Sequence, residues 1–144
     1  MQINIDSWQF WALLSATFAA LTAVFAKVGI ETIGSDFATL IRTAIILLVL
    51  GAVLAVTGKF EPVGSVSSRT WTFLTLSGLA TGASWLCYFR ALKIGQAAQV
   101  APIDKLSVVL VAVFSVLFLG ERLSMVNWAG IALIAGGAVL VAVR

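Results

Sequence analysis

Apolar residues run along the chain in five stretches that alternate with short polar connections. A bilayer core of roughly 30 Å requires about 20 residues of helix at a rise of ~1.5 Å per residue. The stretches therefore predict five transmembrane helices, over residues 8–29, 36–57, 70–89, 97–119 and 125–143. Since no remaining segment is long enough for a soluble domain, we expect an all-α membrane protein with one domain over residues 1–144.

Polar residues at the start of these stretches predict where the helices begin. Serine and aspartate side chains commonly accept a hydrogen bond from a free backbone N–H in the first turn. The predicted N-caps are Ser7, Asp36, Ser68 and Ser124.

Composition agrees with this interpretation and excludes most enzymes. The chain has 144 residues and is 61% hydrophobic and 10% charged, whereas soluble domains are about 25% charged. With no histidine and one cysteine, it has no Cys/His metal cluster, disulfide or Ser–His pair. The net charge of +3 comes from scattered bases and indicates no nucleic-acid patch. We expect no enzyme activity, cofactor, metal or nucleic-acid partner.

Charges in the connections do not favour one orientation in the membrane. Lysine and arginine normally accumulate in cytoplasmic loops. The side of the N-terminus has three of these residues and the opposite side four: Lys59, Arg69 and Arg122 against Lys27, Arg90, Lys93 and Arg144. Two explanations stay open. Either the chain has a fixed orientation despite a weak signal, or it has dual topology and pairs as an antiparallel homodimer that reproduces an inverted repeat.

Small residues in two of the stretches predict close helix packing. Gly78 and Gly82 form a GxxxG pattern, and Gly130, Gly136 and Gly137 keep the last stretch thin. Such residues let helix backbones approach each other. The partner helix belongs either to the same chain or to another one.

Charged residues inside the predicted spans are the first candidates for a site. A charge at the bilayer centre costs about 2.5–3.5 kcal/mol on insertion scales and usually faces the bundle interior or a wet cavity. Lys27 lies near a span end, so it either snorkels to the interface or lines a site. The same alternatives hold for Arg42, which lies deeper in its span.

The fourth stretch contains an acid and a base directly after a proline. Pro102 has no N–H, so we expect a kink there and a free carbonyl at Ala98. Adjacent helical residues diverge by about 100°, which predicts that Asp104 and Lys105 do not pair with each other. Asp104 then pairs with Arg42, leaving Lys105 for an anionic group, or else carries a coupling proton. The alternative is a structural ion pair that fixes helix register.

Aromatic residues end the third stretch on the side where the fourth begins. Trp85, Tyr88 and Phe89 either wall a substrate cavity or pack against other helices and lipid.

Several motifs together resemble the EamA domain of the drug/metabolite transporter superfamily. They are YFRALKIGQAA at residues 88–98, VAP at 100–102, LGERL at 119–123, WAG at 128–130 and GG at 136–137. Arg42 matches an arginine often found in the second helix of that domain. Familiar members have two such domains arranged as an inverted repeat, and this sequence resembles the single-domain members.

The resemblance implies a homodimer in the cell (inner) membrane that moves small polar metabolites by alternating access, with helices one, three and four lining the path. Apolar or small residues are more usual after the proline, so the acid and base at 104 and 105 indicate a subgroup with its own substrate.

We therefore predict a secondary transporter for a small polar or charged metabolite, with the lipid bilayer and a second copy of the chain as partners. The predicted binding or translocation residues are Asp104, Lys105, Arg42, Pro102, Trp85, Tyr88 and Lys27. Two alternatives are a subunit of a lipid-carrier flippase, with Lys105 or Arg42 at the lipid phosphate, and a non-transporting subunit of a membrane assembly. One acid beside one lysine lacks the groups that intramembrane hydrolysis requires.

Overall fold

The fold is seen in a computed structural model, which describes residues 7–143. These residues form six α-helices and one 3-10 turn and contain no strand. The elements are α1 (Trp8–Gly29), α2 (Ser35–Thr57), the 3-10 turn Val63–Ser65, α3 (Ser68–Ile94), α4 (Ala97–Asp104), α5 (Ser107–Phe118) and α6 (Met125–Ala142). Arg144, which enters the loop charge comparison, lies outside the described residues.

Four segments are long and apolar enough to cross a membrane. They are Trp8–Gly29, Ser35–Thr57, Ala97–Leu119 and Met125–Ala142, and they agree with four of the predicted spans. Large apolar side chains cover their surfaces, as in a helix that contacts lipid. The described residues thus contain four candidate membrane spans, and crossing by α3 stays a prediction.

The third helix is longer than its predicted span of 70–89. At 27 residues α3 is the longest helix of the described chain, and it continues through Arg90 and Lys93 to Ile94. Arginine, alanine, leucine and lysine all favour helix, so residues 90–93 prolong it rather than form a connection. Seven serine and threonine side chains make α3 less apolar than the other spans.

The fourth span is interrupted. Its first part is α4, its second part is α5, and Lys105 and Leu106 form a turn between them. The Leu106 N–H donates to the Ile103 carbonyl at 3.0 Å, and the Val108 N–H donates to the Lys105 carbonyl at 3.0 Å. Pro102 lies inside α4, so the helix continues past the proline, and the interruption follows about one turn later, after Asp104. The predicted kink at Pro102 stays a prediction.

Helix starts follow local hydrogen bonds. Ser124 caps α6 by accepting from the Asn127 N–H at 3.2 Å, and Ser7 accepts from the Phe10 N–H at 3.4 Å, so both predicted caps are confirmed. The other two predictions were wrong. The N-cap of α2 is Gly34, which leaves Asp36 in the first turn, and Ser67, rather than Ser68, accepts from the Thr70 N–H at 3.1 Å.

The described residues divide into two compact units. One is Ala26–Lys93, whose buried centre contains Ile30, Phe89 and Leu92. The other, here called the terminal unit, combines the chain up to Phe25 with the chain from Ile94 onward. Within the terminal unit, α6 packs against both halves of the interrupted span, α4 and α5.

Candidate functional site

The predicted site residues fall into two groups, one in each unit. Lys27, Arg42, Trp85 and Tyr88 belong to the Ala26–Lys93 unit, and Pro102, Asp104 and Lys105 belong to the terminal unit. Each group has its own geometry, set by the elements of its unit.

Lys27 lies near the end of α1 and is half-buried. Its Nζ donates a hydrogen bond to the backbone carbonyl of Leu92 at 2.7 Å. The last four carbonyls of a helix have no intrahelical donor, and a cation is favourable at this end of the helix dipole. Leu92 lies in the last turn of α3. Lys27 therefore satisfies a carbonyl that helix α3 leaves unbonded.

Lys93 was not predicted as a contact residue, because it was assigned to a connection. It lies in the last turn of α3 and reaches the chain that follows α1. Its Nζ donates to the carbonyls of Ile30, Glu31 and Ile33, the latter two at 2.9 and 3.0 Å. Nothing in the local sequence pattern signals this interaction, which depends on how the connection between α1 and α2 folds over the end of α3.

Arg42 extends from α2 to the aromatic side chains of α3. Its guanidinium carbon lies 4.3 Å from the ring centroid of Trp85 and 5.4 Å from that of Phe89. Residues four apart share a helix face, so these two rings form one surface. A cation over an aromatic face is attracted by the ring quadrupole. The arrangement is a cation–π cluster. In the sequence, the only pattern that indicates it is the spacing of the two aromatic residues by one helical turn.

The Arg42 guanidinium has no oxygen partner in its own unit. Among residues 26–93, no carboxylate forms an ion pair with it and no carbonyl or hydroxyl accepts its N–H groups. Tyr88, a predicted site residue, lies in α3 next to Phe89, whose ring contacts the guanidinium. Arg42 is half-buried, so its donors lie within an apolar segment where residues 26–93 supply no counter-charge.

Asp104 and Lys105 form an ion pair, contrary to the prediction. Lys105 Nζ lies 3.2 Å from Asp104 Oδ2, and the side chains are 56% and 35% exposed for lysine and aspartate respectively. The prediction assumed a continuous helix, but α4 ends at Asp104 and Lys105 is already in the turn, with ψ of −6°. The flexible lysine stem then reaches back to its neighbour. This pair places two opposite charges at the interruption of an apolar segment.

An all-helical chain with several apolar segments of membrane-spanning length is a multi-pass membrane protein. The chain belongs to the EamA-like transporter family, whose sequence profile matches residues 6–143, so the predicted family is confirmed. The chain is 68% identical over 138 residues to a protein named "Uncharacterized transporter in cobO 3'region" from a Sinorhizobium species. That alignment covers 96% of this chain and 98% of the relative. No solved structure matches the chain.

Proposed function

We propose that the protein is a secondary transporter that moves a small polar or charged metabolite across the cell (inner) membrane by alternating access. The observation that carries this proposal is the interruption of the apolar Ala97–Leu119 segment between α4 and α5. Non-helical backbone at membrane depth is tolerated where it is buried in protein or lines a water-filled cavity. Discontinuous helices of this kind hold substrates in many secondary transporters.

The interruption brings charge together with irregular backbone. Asp104 is the last residue of α4, and Lys105 begins the turn. Paired with each other, the two side chains have no net charge, which lowers the cost of keeping them within an apolar segment. A polar substrate can exchange one member of the pair for its own donor or acceptor. Asp104 is also the acid that we propose for proton coupling, because protonation releases Lys105.

Alternating access requires a second, inverted half, which we propose is another copy of the chain. The five-span unit, with α3 crossing the membrane, forms an antiparallel homodimer in this proposal. Open space beside the glycines supports it: apart from its chain neighbours and the nearby backbone of its own helix, a Cβ built on Gly78, Gly82, Gly130, Gly136 or Gly137 meets no described atom within 4 Å. These thin helix surfaces leave room for the close approach of a second copy.

The experiment compares Asp104→Asn and Lys105→Met in proteoliposomes. Labelled organic acids, amino acids and amines are first screened for uptake by the unchanged protein, and the variants are then measured with the transported solute. The matched control is Glu61→Gln with Lys59→Met, an acid and a base in the connection between α2 and α3.

We expect both site variants to lose most of the uptake and the loop variants to retain it. Uptake that is unchanged in both Asp104→Asn and Lys105→Met overturns the site assignment. If the protein purifies only with a different membrane subunit and moves no solute in proteoliposomes, the transporter proposal itself is overturned in favour of an assembly subunit.

A further inference from the structure

We propose that Arg42 is an anion-binding residue, so that the molecule recognised by this protein carries a carboxylate or a phosphate group. This inference rests on the proposed transport function and names the class of its substrate. It is carried by the contrast between the cation–π contacts of Arg42 and its hydrogen-bond donors, which no oxygen atom of residues 26–93 accepts.

A guanidinium has five N–H donors, and two of them fit a carboxylate or phosphate side by side. The rings of Trp85 and Phe89 attract the charge of Arg42 at 4.3 and 5.4 Å but supply no oxygen acceptor. Within residues 26–93 no oxygen atom accepts from this side chain. The rings therefore hold the cation in place while its donors are left for another molecule.

The other cations in the same unit are used differently. Lys27 donates to the carbonyl of Leu92, and Lys93 donates to three carbonyls after α1. Both lysines therefore satisfy backbone carbonyls at or just after the end of a helix. Arg42 lies about two turns inside α2, where no helix end requires a cation. Its charge thus has no structural use in this unit beyond the aromatic contacts.

The acids of the unit do not supply the missing partner. Glu31 and Glu61 lie in connections, and Asp36 lies in the first turn of α2, where the Ser35 hydroxyl donates to its carboxylate at 3.1 Å. None of the three forms an ion pair with Arg42. In the terminal unit, the charges of Asp104 and Lys105 neutralise each other locally. An uncompensated cation in an apolar segment favours an anionic ligand, which satisfies both its charge and its donors.

An anionic group that binds Arg42 can belong to either of two molecules, a water-soluble anion or a lipid whose headgroup contains a phosphate. We commit to the anionic group, and the experiment separates the sources. The full chain is placed in phosphatidylcholine nanodiscs and titrated by calorimetry with succinate, lactate and inorganic phosphate. The neutral amides succinamide and lactamide serve as uncharged counterparts. Parallel nanodiscs contain phosphatidylglycerol, which adds an anionic headgroup.

The test variants are Arg42→Gln and Arg42→Lys, and the matched control is Arg69→Gln. Arg69 also lies over an aromatic ring, at 5.9 Å from that of Phe73, but it is exposed in the first turn of α3. Size-exclusion profiles and helical circular dichroism show whether each variant folds. Arg42→Lys keeps the charge and lacks the paired donors, so it remains informative if Arg42→Gln fails to fold.

We expect at least one oxyanion to bind while its amide does not. Arg42→Gln should weaken that binding about tenfold or more, and Arg42→Lys less, because charge-assisted hydrogen bonds are lost in the first and reduced in the second. Arg69→Gln should bind as the unchanged protein does. Loss of soluble-anion binding only in phosphatidylglycerol nanodiscs indicates that a lipid headgroup occupies Arg42, which supports the anionic class and identifies its source.

Two results overturn the inference: no binding of any tested oxyanion at high millimolar concentration, or equal binding by Arg42→Gln and the unchanged protein. Failure of the transport proposal is a separate result. Anion binding without uptake in proteoliposomes keeps the anion site and removes transport, whereas Arg42-independent uptake of a neutral or cationic solute keeps transport and removes the anion site.

Discussion

Lys27 of α1 donates a hydrogen bond to the Leu92 carbonyl of α3 at 2.7 Å, and its counterpart Lys93 of α3 donates to the chain after α1. Each lysine thus donates from one of two regions, the end of α1 with its following connection and the end of α3, to a carbonyl of the other region. Ile30 and Leu92, whose carbonyls accept these bonds, are 1% and 0% exposed. The lysine hydrogen bonds therefore involve two buried apolar residues, and those of Lys93 hold the end of α3 against the connection between α1 and α2.

Replacing Lys93 by methionine should destabilise the protein. Methionine keeps much of the apolar stem but leaves the carbonyls of Ile30, Glu31 and Ile33 without this donor. A hydrogen bond between helices in a membrane protein contributes about 0.6 kcal/mol on average, so we expect a loss of about 1–2 kcal/mol. Thermal unfolding in detergent measures it. Lys59→Met, in the connection between α2 and α3, is the control, and equal melting temperatures for the two variants would contradict the role of Lys93.

Ser67 and Ser68 provide a test of helix capping at adjacent positions. Ser67 Oγ accepts from the Thr70 N–H at 3.1 Å and also bonds to the Thr70 hydroxyl at 2.9 Å. Ser67→Ala should therefore cost about 1 kcal/mol of stability. Ser68 is the first residue inside α3, where alanine favours helix, so Ser68→Ala should be neutral or slightly stabilising. Denaturant titration of both variants measures their free energies of unfolding. An equal loss of stability in the two variants would contradict Ser67 as the N-cap.

The Arg42 and Trp85 contact should appear as a coupling energy. Cation–π pairs contribute about 0.5–1 kcal/mol at exposed sites and about 2 kcal/mol when desolvated. With Arg42 half-buried over the ring at 4.3 Å, we expect a value between these limits. It is measured from the unfolding free energies of Arg42→Gln, Trp85→Leu and the double variant. The same cycle on exposed Arg69 and Phe73 should give a smaller coupling, and additive effects in the first cycle would show no such interaction.

Sequence patterns predicted the helices better than their interactions. The extents of α1 and α2 followed from long apolar runs that contain few charges, because membrane-spanning length is a direct property of sequence. The end of α3 was missed because Arg90 and Lys93 resemble a polar connection, whereas Lys93 donates to carbonyls that lie sixty or more residues earlier in the chain. Such a contact depends on tertiary packing and leaves no local pattern.

The candidate site shows the same division. Arg42, Asp104 and Lys105 could be selected from sequence because charges are costly inside apolar segments. Their partners could not be selected. Adjacent side chains diverge only in a continuous helix, whereas Asp104 ends α4 and Lys105 lies in the following turn, where the two side chains pair. The rings beside Arg42 were weighed only as part of an aromatic stripe, although Trp85 and Phe89 lie one helical turn apart.

Dual topology makes a prediction that single cysteines can test. Cys87 is the one cysteine of the sequence and is exposed, so it is first replaced by serine. A cysteine is then placed at Gly64 or Ser65, in the connection between α2 and α3. In intact cells, a membrane-impermeant maleimide should label about half of the molecules if both orientations insert equally, since each copy presents this connection on the opposite side. Permeabilised cells, in which the maleimide reaches both sides, give the total.

A second cysteine in the connection before α6, at Ser124 or Arg122, tests the number of spans. If both α3 and the interrupted span cross the membrane, the connection before α3 and the connection before α6 lie on the same side. Any single molecule is then labelled at both positions or at neither. If α3 does not cross, they lie on opposite sides and labelling at the two positions is mutually exclusive. Labelling that is complete or absent in every molecule at position 64 shows a fixed orientation and removes the antiparallel homodimer, because an inverted copy would then be missing.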